Sequence, residues 1–169
     1  MDFTLHICIS CTYMKPTEIR YIINYWLPVV VIMAFISWMS SGTFSADNTS
    51  RFIVPILRFF FPDITPVRIN LIHVLIRKSA HFSEYFILSV LLFRAFRGNL
   101  SRRWSLRWTI LALIISALFA MLDEFHQSFI AYRTSSLFDV IIDILGSFTA
   151  QLMIAGRGLI VRTGREFSR

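Results

Sequence analysis

Tyr21 to Met39 is a run of nineteen residues without a formal charge, roughly the length a helix needs to cross the hydrocarbon core of a bilayer. Pro28 falls in its first turns, where a missing N–H is tolerated. Tyr25, Trp26 and Trp38 sit near the two ends, as an interfacial aromatic belt would place them. The run closes on Trp38-Met39-Ser40, not on a small-residue cleavage site, so the segment reads as a retained span and not as a signal peptide. The remainder of the chain is equally apolar. At 169 residues, 56% of them apolar, with a mean hydropathy of +0.63, it exceeds what a soluble core of this size requires, and lipid is the expected solvent. Six Gly, five Pro and two Cys exclude collagen-like, disordered and disulfide-scaffold classes. The net charge of +7 reads, in so apolar a chain, as cytoplasmic anchoring, and nucleic acid is not an expected partner.

Three further apolar stretches complete the organisation. Ser79 to Phe96 is interrupted by His81 and Glu84 and closed by Arg94 and Arg97; Trp108 to Leu122 ends at Asp123 and Glu124; Leu137 to Ala155 is broken by Asp139 and Asp143 and closed by Arg157. The spans are placed at about 21–41, 79–97, 107–126 and 137–156, within one membrane domain over 21–155, preceded by an N-terminal segment 1–20 and followed by a basic tail 157–169. The expected fold is all-α: an integral membrane four-helix bundle with an interfacial amphipathic segment between spans one and two. There is no internal repeat and no low-complexity linker.

Arginines set the expected orientation. Arg94, Arg97, Arg102, Arg103 and Arg107 crowd one short connection, and Arg157, Arg162, Arg165 and Arg169 follow the last span against Glu166 alone. Both regions are expected in the cytoplasm, with both termini inside and the segments 42–78 and 127–136 outside. Arg51, Arg58, Arg68, Arg77 and Lys78 in the first outer segment vote the other way, but the denser clusters prevail. Within that segment, Arg51 to Pro62 is too short to span and too apolar for a free loop. It is expected in the headgroup region with its aromatic side down, or packed on the bundle. Cys8 and Cys11 have redox-motif spacing, but a second pair that would complete a zinc site is missing, and they are assigned no role. Met14-Lys-Pro-Thr-Glu reads as an alternative start, which would leave Met1 to Tyr13 outside the native product.

The residues that do not belong in lipid fall at one level. Lys78, His81, Glu84 and Tyr85 have spacings of three and four, along one face at the outer end of span two. Span three finishes with Asp123, Glu124, His126 and Gln127. Span four begins with the stripe Asp139, Asp143 and Gly146, and Arg133 lies on the loop before it. A single Asp at the centre of a spanning helix costs about 2.5 to 3.5 kcal/mol. Five unshared acids would therefore cancel much of the apolar gain. Sharing is expected, as a polar pocket at the outer mouth in which Arg77, Lys78 and Arg133 face the five carboxyls and a proton, a cation or a basic ligand group completes the balance. Plainer roles stand beside this one. His81 suits an interfacial hydrogen bond, Asp139 suits a helix cap, Arg133 a surface anchor, and Gly146 close helix packing. Asp123 and Glu124, about 100° apart on a helix, cannot face one partner equally, so one of them is expected to be structural.

These fragments taken in order, Trp26-Leu-Pro28 with Ser40-Ser41, Lys78-Ser-Ala-His-Phe-Ser-Glu-Tyr85 with Leu88 and Arg94, Asp123-Glu-Phe-His-Gln127, Arg133, and Asp139 with Gly146, resemble the VanZ-like family of small bacterial membrane proteins. The resemblance covers Tyr21 to Ala155. It implies a bacterial cytoplasmic-membrane location, a cell-envelope context, and an association with resistance to the glycopeptide teicoplanin. Where the family often carries Asn one turn after the span-four Asp, this chain has Asp143, which adds an acid to the pocket.

Three functions are weighed. The first is a binding or modulating protein whose outward pocket engages a membrane lipid, a lipid-linked cell-wall precursor or another peptidoglycan-related group, with Arg133 and Lys78 on phosphate or carboxylate. The second is an integral-membrane enzyme acting on a lipid headgroup. There His81 acts beside Glu84 and is oriented by Asp123 or Glu124, or else His81, Glu84, Asp123 and Asp139 hold a divalent cation. No His-Glu-x-x-His or Gly-x-Ser-x-Gly motif supports it, and no resident cofactor is expected. The third, a proton- or ion-coupled carrier, ranks last because the titratable groups stop at one level and only Gln151 lies deeper in span four.

Overall fold

The computed structural model describes residues 16–41, 46–100, 104–129 and 136–166. Cys8, Cys11, the alternative start at Met14 and Arg133 lie outside them. Helix α1 (Pro16–Tyr21), a π-helical turn (Ile22–Trp26) and α2 (Leu27–Met39) run on as one helical segment. The wide turn comes directly before Pro28, whose ring offers no N–H and would crowd the carbonyl of Asn24 four residues back. The Leu27 N–H instead reaches five residues back to the Ile22 carbonyl, which widens the helix at that point. Then come α3 (Ala46–Phe60), α4 (Pro66–Arg97), α5 (Leu106–Gln127) and α6 (Leu137–Glu166). The described residues are all-helical, with no strand among them.

Two boundaries differ from the sequence expectation. The segment 42–78, read as a loop, contains α3 and the first turns of α4. Thr65, extended at φ −75° and ψ 150°, precedes Pro66, and a proline in the first turn of a helix loses no intrahelical bond. Helix α4 is thus 32 residues, about 48 Å, longer than the span 79–97 assigned to it. Helix α6 likewise continues through the expected basic tail to Glu166. Three segments, Glu18–Met39, Leu106–Gln127 and Leu137–Gly158, are long and apolar enough to cross a membrane. The second expected span, inside α4, is not among them because the helix carries a dense stripe of polar and charged side chains.

Helix α4 is the centre of the assembly, packing against α6, α5 and α2. Side-chain pairs fix the directions. Tyr21 Oη donates to the Ala95 carbonyl at 2.9 Å and Tyr25 Oη to Asn99 Oδ1, whereas Ser40 meets Asp123 at the other end. Ser89 and Gln151 pair between α4 and α6, as do Lys78 and Asp139. Helices α2 and α5 therefore run one way and α4 and α6 the other. Tyr25 and Trp26 are more than belt residues: Trp26 packs edge-on against Phe96 with ring centroids 5.4 Å apart, and the Arg94 guanidinium lies over the Tyr25 ring.

The exterior of the assembly is apolar. Ile110, Ile114, Leu118 and Leu122 of α5 face outward, as do Ile141, Leu145, Phe148 and Leu152 of α6. Between the helices lie Ala95, Ala112, Ala120, Ala150, Ser89, Ser116 and Ser147, beside a core of Ile36, Leu88, Leu92 and Phe93. Small residues let helix backbones approach where lipid supplies no hydrophobic drive, and an apolar exterior of this extent is matched to hydrocarbon. Exposed Ser83 and Thr149 bond back to the carbonyls four residues earlier, so their hydroxyls are satisfied without water.

Helix α4 ends at Gly98, whose φ of +52° is the left-handed region and whose N–H bonds the Arg94 carbonyl at 3.0 Å. A Cβ there would also come within 2.7 Å of the Tyr21 ring. Gly98→Ala is expected to lower stability by about 1 to 2 kcal/mol, read as an earlier thermal transition of the detergent-purified protein.

Candidate functional site

At the end of the assembly where α2 and α5 finish and α6 begins, polar side chains form a connected set. Ser40, on the turn closing α2, donates its hydroxyl to Asp123 Oδ2 at 2.6 Å. Gln127, one turn beyond Asp123 on α5, donates Nε2 to that same oxygen at 2.9 Å and to Ser40 Oγ at 3.1 Å. Its own carbonyl oxygen faces Arg77 Nη2 at 3.5 Å. Arg77 Nη2 and Lys78 Nζ, both on α4, each reach one oxygen of Asp139 at 3.1 Å. One turn further along α4 and α6, His81 Nδ1 lies 3.3 Å from Asp143 Oδ1. Four helices thus contribute to one layer, because His81, Glu84 and Tyr85 on α4, Asp123 and Gln127 on α5, and Asp139 and Asp143 on α6 each follow the inward stripe of their helix.

Burial divides the set. Asp143, Gln127 and Tyr85 are essentially inaccessible, and His81, Glu84, Asp123, Glu124 and Asp139 are buried. Arg77 and Lys78 keep about a third of their side chains exposed, at 35% and 37%, and form the rim. Asp139 stands between rim and interior and orients both cations. Deep in the layer Tyr85 Oη has no hydrogen-bond partner, and neither has Arg77 Nε. Buried hydroxyls and guanidinium N–H groups are nearly always bonded, which sets these two donors apart from the paired groups of the layer.

The adjacent acids separate, and both have structural partners. Asp123 holds the end of α2, whereas Glu124 accepts the backbone N–H of Ser136 at the start of α6. The cap of α6 is Ser136, whose Oγ accepts the Phe138 N–H at 3.2 Å. Asp139 is not the cap, since its carboxylate is turned to Arg77 and Lys78. The carboxylate beside His81 is Asp143, not Asp123 or Glu124, because those two acids are committed to Ser40, Gln127 and Ser136. Among the described residues no three His, Cys, Asp or Glu side chains converge as a metal-ligand set, so His81, Glu84, Asp123 and Asp139 are not gathered on one point. Gly146 sits where α6 crosses α4, against the Phe82 carbonyl.

Arg77, expected as one of the cations facing the carboxyls, belongs to the layer, and so does Ser40, which the sequence did not single out as a site residue. Arg77 is one turn before His81 on the same face, a signal present in the sequence; Ser40 has none, since only the packing of α2 brings it to α5. Below the layer the polar groups no longer titrate. Ser89 Oγ donates to the Ser147 carbonyl at 3.1 Å and Gln151 Nε2 to Ser89 Oγ at 2.8 Å, pinning α4 to α6.

No solved structure matches this chain. It is 37% identical over 94 residues to an uncharacterised protein of Schizosaccharomyces pombe, a match covering 55% of this chain and 51% of the relative, so the chain spans about half the length of that curated relative. The sequence model of the VanZ/LLP1 family matches residues 25–160, from the π-turn before α2 to the far part of α6 and across every element that builds the polar layer. By that match the chain belongs to the VanZ/LLP1 family.

Proposed function

We propose that this chain is a four-span protein of the bacterial cytoplasmic membrane whose polar layer faces outward and binds or modulates a lipid-linked or peptidoglycan-related group. In this reading α4, with its polar side chains turned inward, supplies the fourth crossing. Both termini lie inside, and α3, with Ile56, Phe59 and Phe60 exposed, rests in the headgroup region. The positive-inside rule supports the orientation, because Arg94, Arg97 and Arg157 lie at the end opposite the layer.

The observation that carries the proposal is the combination of a cationic rim about a third exposed, Arg77 and Lys78 held by Asp139, with the buried Tyr85 hydroxyl behind it that lacks a partner. A ligand with a phosphate or carboxylate on the rim, and an amine or hydroxyl directed at the carboxyls and Tyr85, would satisfy both. A relative in a eukaryote favours the lipid-linked member of the pair, since lipid phosphates are common to all membranes. Altered glycopeptide (teicoplanin) susceptibility would follow from occupancy of such a precursor outside the membrane. With purified full-length protein and a polyprenyl phosphate as probe, Arg77→Ala and His81→Ala are each expected to weaken binding about tenfold or more. The same variants and Arg133→Ala, at equal expression, should lose any glycopeptide phenotype. Retention of both properties would end this reading.

The 3.3 Å approach of His81 Nδ1 to Asp143 favours one second reading, an enzyme acting on a lipid headgroup with His81 as the base and Asp143 orienting it. Turnover of labelled lipid by wild type, abolished in Asp143→Asn, would select it over binding alone.

A further inference from the structure

A second site lies at the other end of the assembly, about 20 Å along α4 from His81 to Arg94, and is independent of the polar layer. A cleft of about 450 Å³ opens between the last turns of α4 and the corresponding part of α6. Val90, Phe93 and Ile154 give it apolar walls, and Arg94, Arg97 and Arg157 also line it. None of these three arginines has a carboxylate of the described residues within ion-pair distance. Arg97 Nε is buried without a hydrogen-bond partner, and so is the indole N–H of Trp104, which packs on Gly158 at the same end.

The dipole of α4 and the positive-inside rule account for basic residues at this end, but not for a guanidinium N–H left unbonded in the protein interior. Three arginines lining one apolar cleft, of which Arg94 also lies over the Tyr25 ring, are complementary to a phosphodiester anion bearing a hydrocarbon chain, because arginine binds phosphate oxygens bidentately and the walls accept methylenes. The volume falls within the roughly 300 to 1,000 Å³ of sites that hold small ligands, enough for a glycerophosphate head and the first part of one chain. We propose that this cleft binds the headgroup of a single anionic glycerophospholipid, holding α4 against α6 at the end opposite the polar layer.

The test is native mass spectrometry of the full-length chain released from detergent containing equal amounts of phosphatidylglycerol and phosphatidylcholine with matched chains. Wild type is expected to retain one phosphatidylglycerol in about tenfold preference. The combined variant Arg94→Gln, Arg97→Gln, Arg157→Gln should lose that preference. Ile154→Trp, which fills the trough and leaves every charge in place, should lose the bound lipid too. Arg51→Gln, Arg58→Gln, Arg68→Gln, the same charge change elsewhere, should keep it, as should Arg77→Ala in the polar layer. Circular dichroism and a monodisperse elution profile establish that each variant is folded. Equal loss in the Arg51, Arg58, Arg68 control would show diffuse charge attraction and overturn the proposal. So would displacement of the lipid by millimolar inorganic phosphate, which would make free phosphate the ligand.

Discussion

Gly146→Leu is expected to separate α4 from α6 and to lower the stability of the detergent-purified protein by about 3 kcal/mol, the upper part of the usual range for overpacking a close contact. Even a Cβ at this position would overlap the Phe82 carbonyl oxygen and come within 3.1 Å of its carbon, so the obstacle is backbone and cannot rotate away. Alanine at position 146 should therefore show a substantial part of the same effect. The seam that would open is the one pinned by Ser89, Ser147 and Gln151, and forcing the helices apart would break those hydrogen bonds as well. Gly156 is the internal control. A Cβ there meets nothing within 4 Å, and Gly156→Ala should be neutral or slightly stabilising, as helix propensity alone dictates. Thermal unfolding followed by circular dichroism measures all three; a Gly146→Leu protein as stable as Gly156→Ala would disprove the close approach.

Asp123→Ala is expected to be comparably harmful, at about 2 to 4 kcal/mol, because it removes the oxygen on which two buried donors converge. Ser40 would lose its only acceptor in this set, and Gln127 Nε2 would keep just its bond to Ser40. The end of α2 would then be hydrogen-bonded to α5 only through Gln127 and Ser40. Ser40→Ala should cost less, about 1 kcal/mol, since Gln127 still reaches Asp123 after the hydroxyl is gone. The double-mutant cycle between Ser40 and Asp123 should return a coupling of about 1 kcal/mol or more. Additive effects would mean that the two side chains do not touch in solution.

Much of the architecture was legible along the chain. The uncharged length from Tyr21 to Met39 and the runs ending at Asp123 and Ala155 correspond to the three segments long and apolar enough to cross a membrane. The order of motif fragments from Trp26 to Gly146 pointed to the family whose sequence model matches residues 25–160. Helical spacing put His81, Glu84 and Tyr85 on one face, and all three are buried on α4. The extent of α4 was harder to read. Arg68, Arg77 and Lys78 make Pro66 to Lys78 look like a loop in one dimension, whereas in the helix Arg77 and Lys78 turn toward Asp139. The commitment of Glu124 to the Ser136 N–H was hidden for a related reason: a loop that closes between two helices is not encoded in the periodicity of either.

Sequence alone determined the helical class, the apolar lengths and which residues share a face, because these arise from the 3.6-residue turn and from the cost of charge in hydrocarbon, both properties of a single segment. Only the tertiary structure decided the partners: His81 with Asp143, Asp139 with Arg77 and Lys78, and Ser40 with Asp123. Those choices depend on how far each helix is rotated and slid against its neighbours. Hydrogen bonds and ion pairs form only within a few ångströms, and the close approach of Gly146 to Phe82 is one of the contacts that sets that register between α4 and α6.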